Sequence, residues 1–340
     1  MLLIMTQSVA VQAEQFALPP DDSDVIGALT FAIARAEETL LDIARRHGLG
    51  YEDIVRANPN VDTWLPGEGT EVLLPTWYVL PPGPREGIVM NLAEYRMYYF
   101  PELKDDEPAI VMTFPISIGR MDWETPLGLT RIVAKARNPT WYPPESVRAE
   151  HAADGDPLPR IVPPGPKNPL GAFSMRLSLP GYLIHSTNRP AGVGMRVTHG
   201  CIRMFPEDID FLFEQVNVNT QVKIINEPIK VGWYGDELIM EVHRALDVSP
   251  IETDSGEISN EVLMEDSLGQ SERSSLTALT EQFVAATNIR AGELDWKQAE
   301  ILLERADGIP VLIGRTIKNA AEGHCHFKIR PSAPAFIRLK

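Results

Sequence analysis

The sequence predicts a mainly β protein, with a small α/β domain ahead of the β domain and a helical extension behind it. Three observations carry this. Short apolar runs separated by turn residues crowd the middle of the chain. A strand–helix–helix–strand pattern precedes them, and helical periodicity follows them. At 340 residues the chain is too long for one ordinary domain.

Residues 1–27 read as a signal peptide and leader. Met1 to Val11 is mostly apolar, and Val11-Gln12-Ala13 resembles a small-residue cleavage site. No Lys or Arg precedes Arg35, so an internal start that lost its basic residues, or a plain unstructured tail, are the competing readings. No other apolar run is long enough to span a bilayer.

Residues 28–77 form the α/β unit. Ala28–Ile33 reads as a strand. Thr39 caps the next helix with Asp42 three residues on, and Leu40, Ile43 and Ala44 give it one apolar face. Gly48 ends it. A second helix runs from Tyr51 to Ala57 and stops at Asn58-Pro59, and residues 71–74 close the unit as a strand.

Pro81-Pro82-Gly83-Pro84 marks a connector over residues 78–85. The β domain then spans 85–245. Strands are expected at 87–92, 95–100, 109–118, 129–135, 172–177, 182–186 and 221–225, with a hairpin over 231–234 and 238–242. Residues 206–216 form its one clear helix, with Ile209, Leu212 and Phe213 on one face. Residues 138–171 interrupt the strands with nine prolines and no periodicity. Such stretches are lids or surface insertions, and Trp141 and Tyr142 are candidates to roof a binding groove there.

Residues 247–273 are rich in Glu, Asp and Ser and read as an acidic linker. In 274–340, Leu276, Leu279, Phe283 and Ala286 share one helical face. Leu294, Ala299, Ile301 and Leu302 suggest a second helix. No function attaches to this extension.

The net charge of −16 argues against a nucleic-acid partner, whose phosphates it would repel. The two cysteines, Cys201 and Cys325, exclude a disulfide scaffold, although a bond between them would silence the thiol. His324-Cys325-His326 places three ligand types in a row, but adjacent side chains diverge and rarely share a metal. No metal or organic cofactor is expected.

The chemistry concentrates at Thr198-His199-Gly200-Cys201-Ile202-Arg203, with His185-Ser186 upstream. A thiol beside a glycine has bare N–H groups at hand for an oxyanion, and a histidine supplies the base. His185, at the end of a strand, and His199, two residues before the thiol, both qualify. Arg203 suits a substrate carboxylate or a structural ion pair equally. A buried inert cysteine beside a structural histidine is the plain alternative.

The wider pattern resembles the L,D-transpeptidase (YkuD-like) family of bacterial cell-wall enzymes. Its signature, a histidine and then Ser/Thr-His-Gly-Cys, is matched by His185-Ser186 and Thr198–Cys201. A second element, Gly followed by Thr-Pro-x-Gly, is matched by Gly119 and Thr125-Pro126-Leu127-Gly128. Arg203 stands where the commonly written signature has Asn. Residues 28–77 resemble a LysM glycan-binding domain through Thr39-Leu40, Ile43-Ala44, Ile54, Ala57-Asn58-Pro59 and Leu73-Leu74-Pro75. Ala36-Glu37-Glu38 stands where that family has Pro-Gly-Asp. Together the two units resemble the periplasmic ErfK/YbiS-like group.

The resemblance implies a β-sandwich-like catalytic domain, and it assigns roles. Cys201 is the expected nucleophile and His185 the base. Ser186 orients the imidazole through its carbonyl, and His199 and Gly200 support the oxyanion loop. Arg203, Trp141 and Tyr142 are the substrate-binding candidates. The implied substrate is a peptidoglycan tetrapeptide stem. The acceptor is a second stem, an outer-membrane lipoprotein or a D-amino acid. An L,D-carboxypeptidase-like hydrolase and a non-catalytic peptidoglycan-binding scaffold are the rival classes.

Overall fold

The computed structural model describes residues 14–19, 23–102, 108–246 and 267–317. A nine-stranded sheet organises the middle of the chain. Its order is Glu14–Ala17, Ile110–Pro115, Arg96–Phe100, Gly87–Asn91, Gln221–Ile225, Gly128–Arg137, Phe173–Leu177, Leu183–His185 and Ile202–Arg203. Neighbours are antiparallel except at two places. Gln221–Ile225 runs parallel to Gly87–Asn91, and Ile202–Arg203 runs parallel to Leu183–His185.

Alternation along the strands explains how this sheet is covered. Ile88, Met90, Met97 and Phe114 from one half share a core with Met175, Ile184 and Ile202 from the other, closed by Ile209, Leu212 and Phe213 of helix Pro206–Gln215. One core touching both halves means that the sheet curls, as a sandwich-like domain requires. The opposite residues, Val89, Tyr98, Phe100 and Val111, meet Ile26, Tyr78 and Leu80 of the N-terminal hairpin. Buried on both faces, these strands read as continuous apolar runs.

That hairpin pairs Val25–Ile33 with Glu71–Val79 and carries helices Leu40–Arg46 and Tyr51–Ala57. Thr39 and Asp42 form the expected reciprocal cap on the first helix. Asn58 ties the second helix to the closing strand. Its amide donates to the Ile54 and Leu73 carbonyls at 2.8 Å each, and its oxygen accepts from Leu73 N–H at 2.8 Å. This is what the Ala57-Asn58-Pro59 sequence does in the fold.

The structure corrects five expectations. The stretch through residue 27 is not all leader: Glu14–Ala17 is an edge strand of the large sheet, because Phe16 packs against Tyr78. Tyr78 and Val79 belong to the closing strand rather than to the connector. The proline-rich insertion holds a helix, Glu145–Ala153, that buries only Val147 and so shows no apolar stripe.

The fourth concerns the hairpin Ile229–Tyr234 and Glu237–Val242, which leaves the large sheet. It forms a four-stranded sheet with Val311–Thr316 and Gly292–Leu294, because Trp233, Leu238 and Met240 share a core with Leu279, Ala299, Leu302 and Ile313. The C-terminal part is therefore an α/β unit that takes this hairpin across the expected boundary at 245, and not a helical extension alone. The fifth is Leu294, which lies in a strand, while the second helix is Trp296–Arg305. Residues 1–13, most of the acidic linker and His324-Cys325-His326 lie outside the described residues. Among the described residues, no helix is long and apolar enough to cross a membrane.

Candidate active site

The two halves of the motif meet at one edge of the large sheet. Leu183–His185 pairs with Ile202–Arg203, placing Ile184 opposite Ile202 and His185 opposite Arg203. Met204 N–H closes the ladder on the His185 carbonyl at 3.0 Å. Cys201 thus lies one residue before a strand that is hydrogen-bonded to the strand bearing His185.

His185 is buried, and its Nδ1 lies 2.6 Å from the Ser186 carbonyl oxygen. A carbonyl only accepts, so Nδ1 carries the hydrogen and Nε2 of the neutral ring keeps its lone pair. Burial, and then the Arg203 charge, push the His185 pKa down to about 4 against the Ser186 hydrogen bond. The ring is therefore neutral, and so competent as a base, at neutral pH. Burial pushes the Cys201 thiol up, against a Leu183 backbone hydrogen bond and the Arg203 charge. Its Sγ–H faces the Gly181 carbonyl at 3.7 Å. At rest the thiol is protonated and the imidazole neutral.

The loop before the thiol is held by the second motif element. Thr125 Oγ1 accepts from Gly119 N–H at 3.0 Å and donates to the Gly200 carbonyl at 2.9 Å. Because the peptide is planar and trans, the Cys201 N–H points away from Thr125. Thr198 Oγ1 donates to the Cys201 carbonyl at 2.6 Å. Gly200 has φ +90°, and a Cβ there would stand 2.9 Å from the Tyr182 ring.

A family model for the L,D-transpeptidase catalytic domain matches residues 85–224. The Escherichia coli K12 protein named "Probable L,D-transpeptidase YcfS" is 40% identical over 245 residues, covering 70% of this chain and 75% of that one. "Probable L,D-transpeptidase YbiS" of the same strain is 39% identical over 72% of this chain and 80% of its own length. The chain belongs to the L,D-transpeptidase family. "Probable L,D-transpeptidase ErfK/SrfK" of Salmonella typhimurium is 34% identical over 92% of this chain and 94% of its length. Among solved structures, an L,D-transpeptidase from Mycobacterium smegmatis overlaps 46% of this chain and 74% of that one, at 18% identity and TM-score 0.32. The assignment rests on the sequence relatives.

Other candidate residues of this transpeptidase fall in distinct places. The His199 ring turns to the proline-rich insertion, donating from Nε2 to Glu150 Oε2 at 2.9 Å. Glu150 also accepts from Arg120, and Trp123 packs edge-on against His199 at 5.2 Å between ring centres. The Arg120 hydrogen bond, with that from His199, holds the Glu150 carboxyl below the usual range. Arg203 has no acidic partner among the described residues, and its Nε is buried without a hydrogen bond. Trp141 is half-buried and bridges Val162 through backbone hydrogen bonds of 2.9 Å, while Tyr142 is 67% exposed.

Sequence reasoning missed Glu150, Arg120 and Trp123 as site residues. Glu150 lies 49 positions from His199, and no local pattern links them. For Arg120 and Trp123 a signal exists, since both fall between Gly119 and Thr125 of the second motif element.

Proposed function

We propose that this L,D-transpeptidase acts on peptidoglycan tetrapeptide stems through a thioester on Cys201. The thiol attacks the carbonyl of the third stem residue. His185 Nε2 takes the thiol proton, the bond to the terminal D-Ala breaks, and the same proton leaves on the departing amine. An amine then attacks the thioester and regenerates the thiol. The acceptor is a second stem, giving a 3→3 cross-link, or the lysine of an outer-membrane lipoprotein.

The observation that carries this reading is the 2.6 Å contact between His185 Nδ1 and the Ser186 carbonyl, on a strand paired beside Cys201. It leaves Nε2 as the base. The anchored Gly200–Cys201 peptide supports an oxyanion site made with the Cys201 N–H, where one such donor is worth about 100- to 1000-fold in rate. Arg203, with no acidic partner among the described residues, suits a stem carboxylate. Trp141 and Tyr142 serve the groove wall. Residues 28–77 act as a LysM-like glycan-binding unit, and the enzyme works in the periplasm after cleavage of its leader.

Mass spectrometry of muropeptides tests this. Tetrapeptide-rich sacculi are incubated with the enzyme or with Cys201→Ala. D-Ala release and 3→3 dimers with wild type alone are the expected result. Equal products from Cys201→Ala would remove the thiol from the reaction.

A further inference from the structure

The N-terminal unit grips the chain on both sides of Cys201. Upstream, the first two N–H groups of helix Tyr51–Ala57 donate to the carbonyls of Val193 and Gly194, at 3.0 and 3.3 Å. Two glycines from different units stand back to back there. A Cβ on Gly50 would lie 2.7 Å from Gly194 Cα, and one on Gly194 would lie 2.5 Å from Gly50 Cα. Neither position admits a side chain without moving the other.

Downstream, Arg45 forks onto Glu207, with Nε and Nη2 at 2.6 and 2.8 Å from its two carboxylate oxygens. The same guanidinium lies 5.5 Å from the centre of the Phe205 ring. Glu207 sits in the first turn of the helix that follows the cysteine motif. Between these grips the chain has little ladder of its own, only the short strands Arg196–Thr198 and Ile202–Arg203.

We infer that the N-terminal unit is a positioning element of the active centre, with Arg45 and Gly50 setting the place of the Cys201 thiol through Glu207 and Gly194. This rests on the reading of Cys201 as nucleophile. The Arg45 side chain is 41% exposed, so its ion pair adds little to stability. What a forked pair supplies is geometry. A misplacement of about 1 Å from outside the reacting groups can cost about 100-fold. The effect therefore falls on kcat and on the thiol, not on melting temperature.

The test uses the full chain carrying Arg45→Glu, Glu207→Arg or both, with Cys201→Ala in parallel. D-Ala release from tetrapeptide gives kcat and KM, and site-resolved mass spectrometry gives the pH profile of Cys201 alkylation by iodoacetamide. Each single variant is expected to lose about 10- to 100-fold in kcat, with KM within about twofold and the alkylation profile displaced. The double exchange restores both readouts. Single variants at wild-type kcat, or a folded double exchange no better than the singles, would overturn the inference. If charge reversal blocks folding, Arg45→Lys decides the point, since it keeps the charge and loses the fork: a lowered kcat supports the inference and an unchanged one overturns it. Turnover by Cys201→Ala would sink the nucleophile assignment and this inference with it. An inactive Cys201→Ala beside normal single variants would sink the coupling alone.

Discussion

Two buried histidine centres in this fold are satisfied to opposite degrees. Around His243, every charge has its counterpart. Lys230 Nζ lies 2.8 Å from Glu94, 3.1 Å from Glu241 and 2.5 Å from the Val79 carbonyl. His243 meets the other Glu241 oxygen at 2.6 Å, and Tyr98 donates to Glu94 at 2.6 Å. Burial opposes ionisation of Glu241, yet Lys230, His243 and the Val79 N–H together hold its carboxyl below the usual value. Glu94, Glu241 and His243 are metal-ligand types within reach of one another, but the Lys230 ammonium already sits between the two carboxylates.

Around His185 the opposite holds. The ring has one backbone partner, the nearby Arg203 is part-buried with no acidic partner among the described residues, and the Cys201 thiol is kept protonated. A saturated buried network rigidifies, while an unsatisfied one is costly to keep. The first centre joins three parts of the fold: Val79 of the N-terminal hairpin, Glu94 of the turn between strands Gly87–Asn91 and Arg96–Phe100 of the large sheet, and Lys230 and Glu241 of the C-terminal hairpin. The second is where reaction is expected.

The comparison breaks most visibly under substitution. His185→Ala is expected to lower D-Ala release by about 100- to 10,000-fold, the usual share of a general base, with a urea midpoint close to wild type. Lys230→Met should do the reverse. It strands two buried carboxylates at a cost of about 3–5 kcal/mol, and the molecules that remain folded keep their kcat. Parallel urea titrations and turnover assays decide. A stable Lys230→Met, or an unstable His185→Ala with proportionate activity loss, would erase the distinction.

Acid sharpens it. His185 titrates near 6.5 when unfolded and about 4 when folded. Above 6.5 neither state is protonated. As the pH falls from 6.5 to 4 the unfolded chain takes a proton that the folded chain refuses, so stability declines, by about 3 kcal/mol in full. His185→Gln should remove that part of the slope. A slope that is unchanged in this variant would show the ring to be better solvated than its burial implies.

The fold was legible where side-chain periodicity decides it. Thr39–Ala57, seven of the nine strands of the large sheet and Pro206–Gln215 carry their pattern locally, whereas Glu14–Ala17 falls in the expected leader and Ile202–Arg203 inside the cysteine motif. What the pattern does not carry is partnership. Residues 229–242 alternate as a hairpin should, but their pairing with Val311–Thr316 depends on a segment some 70 residues later. That the segments bearing Cys201 and His185 meet was foreshadowed because the motif is contiguous on each side. Thr125 was legible only as part of a spacing, and its double hydrogen bond to Gly119 and Gly200 is the physical content of that spacing. Glu145–Ala153 escaped because prolines flank it and one buried residue makes no stripe.

That helix supplies the smallest expected effect. Glu150 is the part-buried link between the insertion and the cysteine loop, taking hydrogen bonds from Arg120 and His199. If the insertion serves as a lid, Glu150→Gln leaves the chemistry in place and weakens only the latch. It keeps one acceptor oxygen and loses the charge. The expected change is about two- to fivefold in KM, the scale of one surface ion pair, with kcat held and the gap closing as salt is raised. The salt series matters most, because a contact that merely shapes the helix would not respond to it. A kcat loss as large as that of His185→Ala would move Glu150 from the lid into the reacting centre, and the contrast between the two histidine centres would then have to include a third charged group.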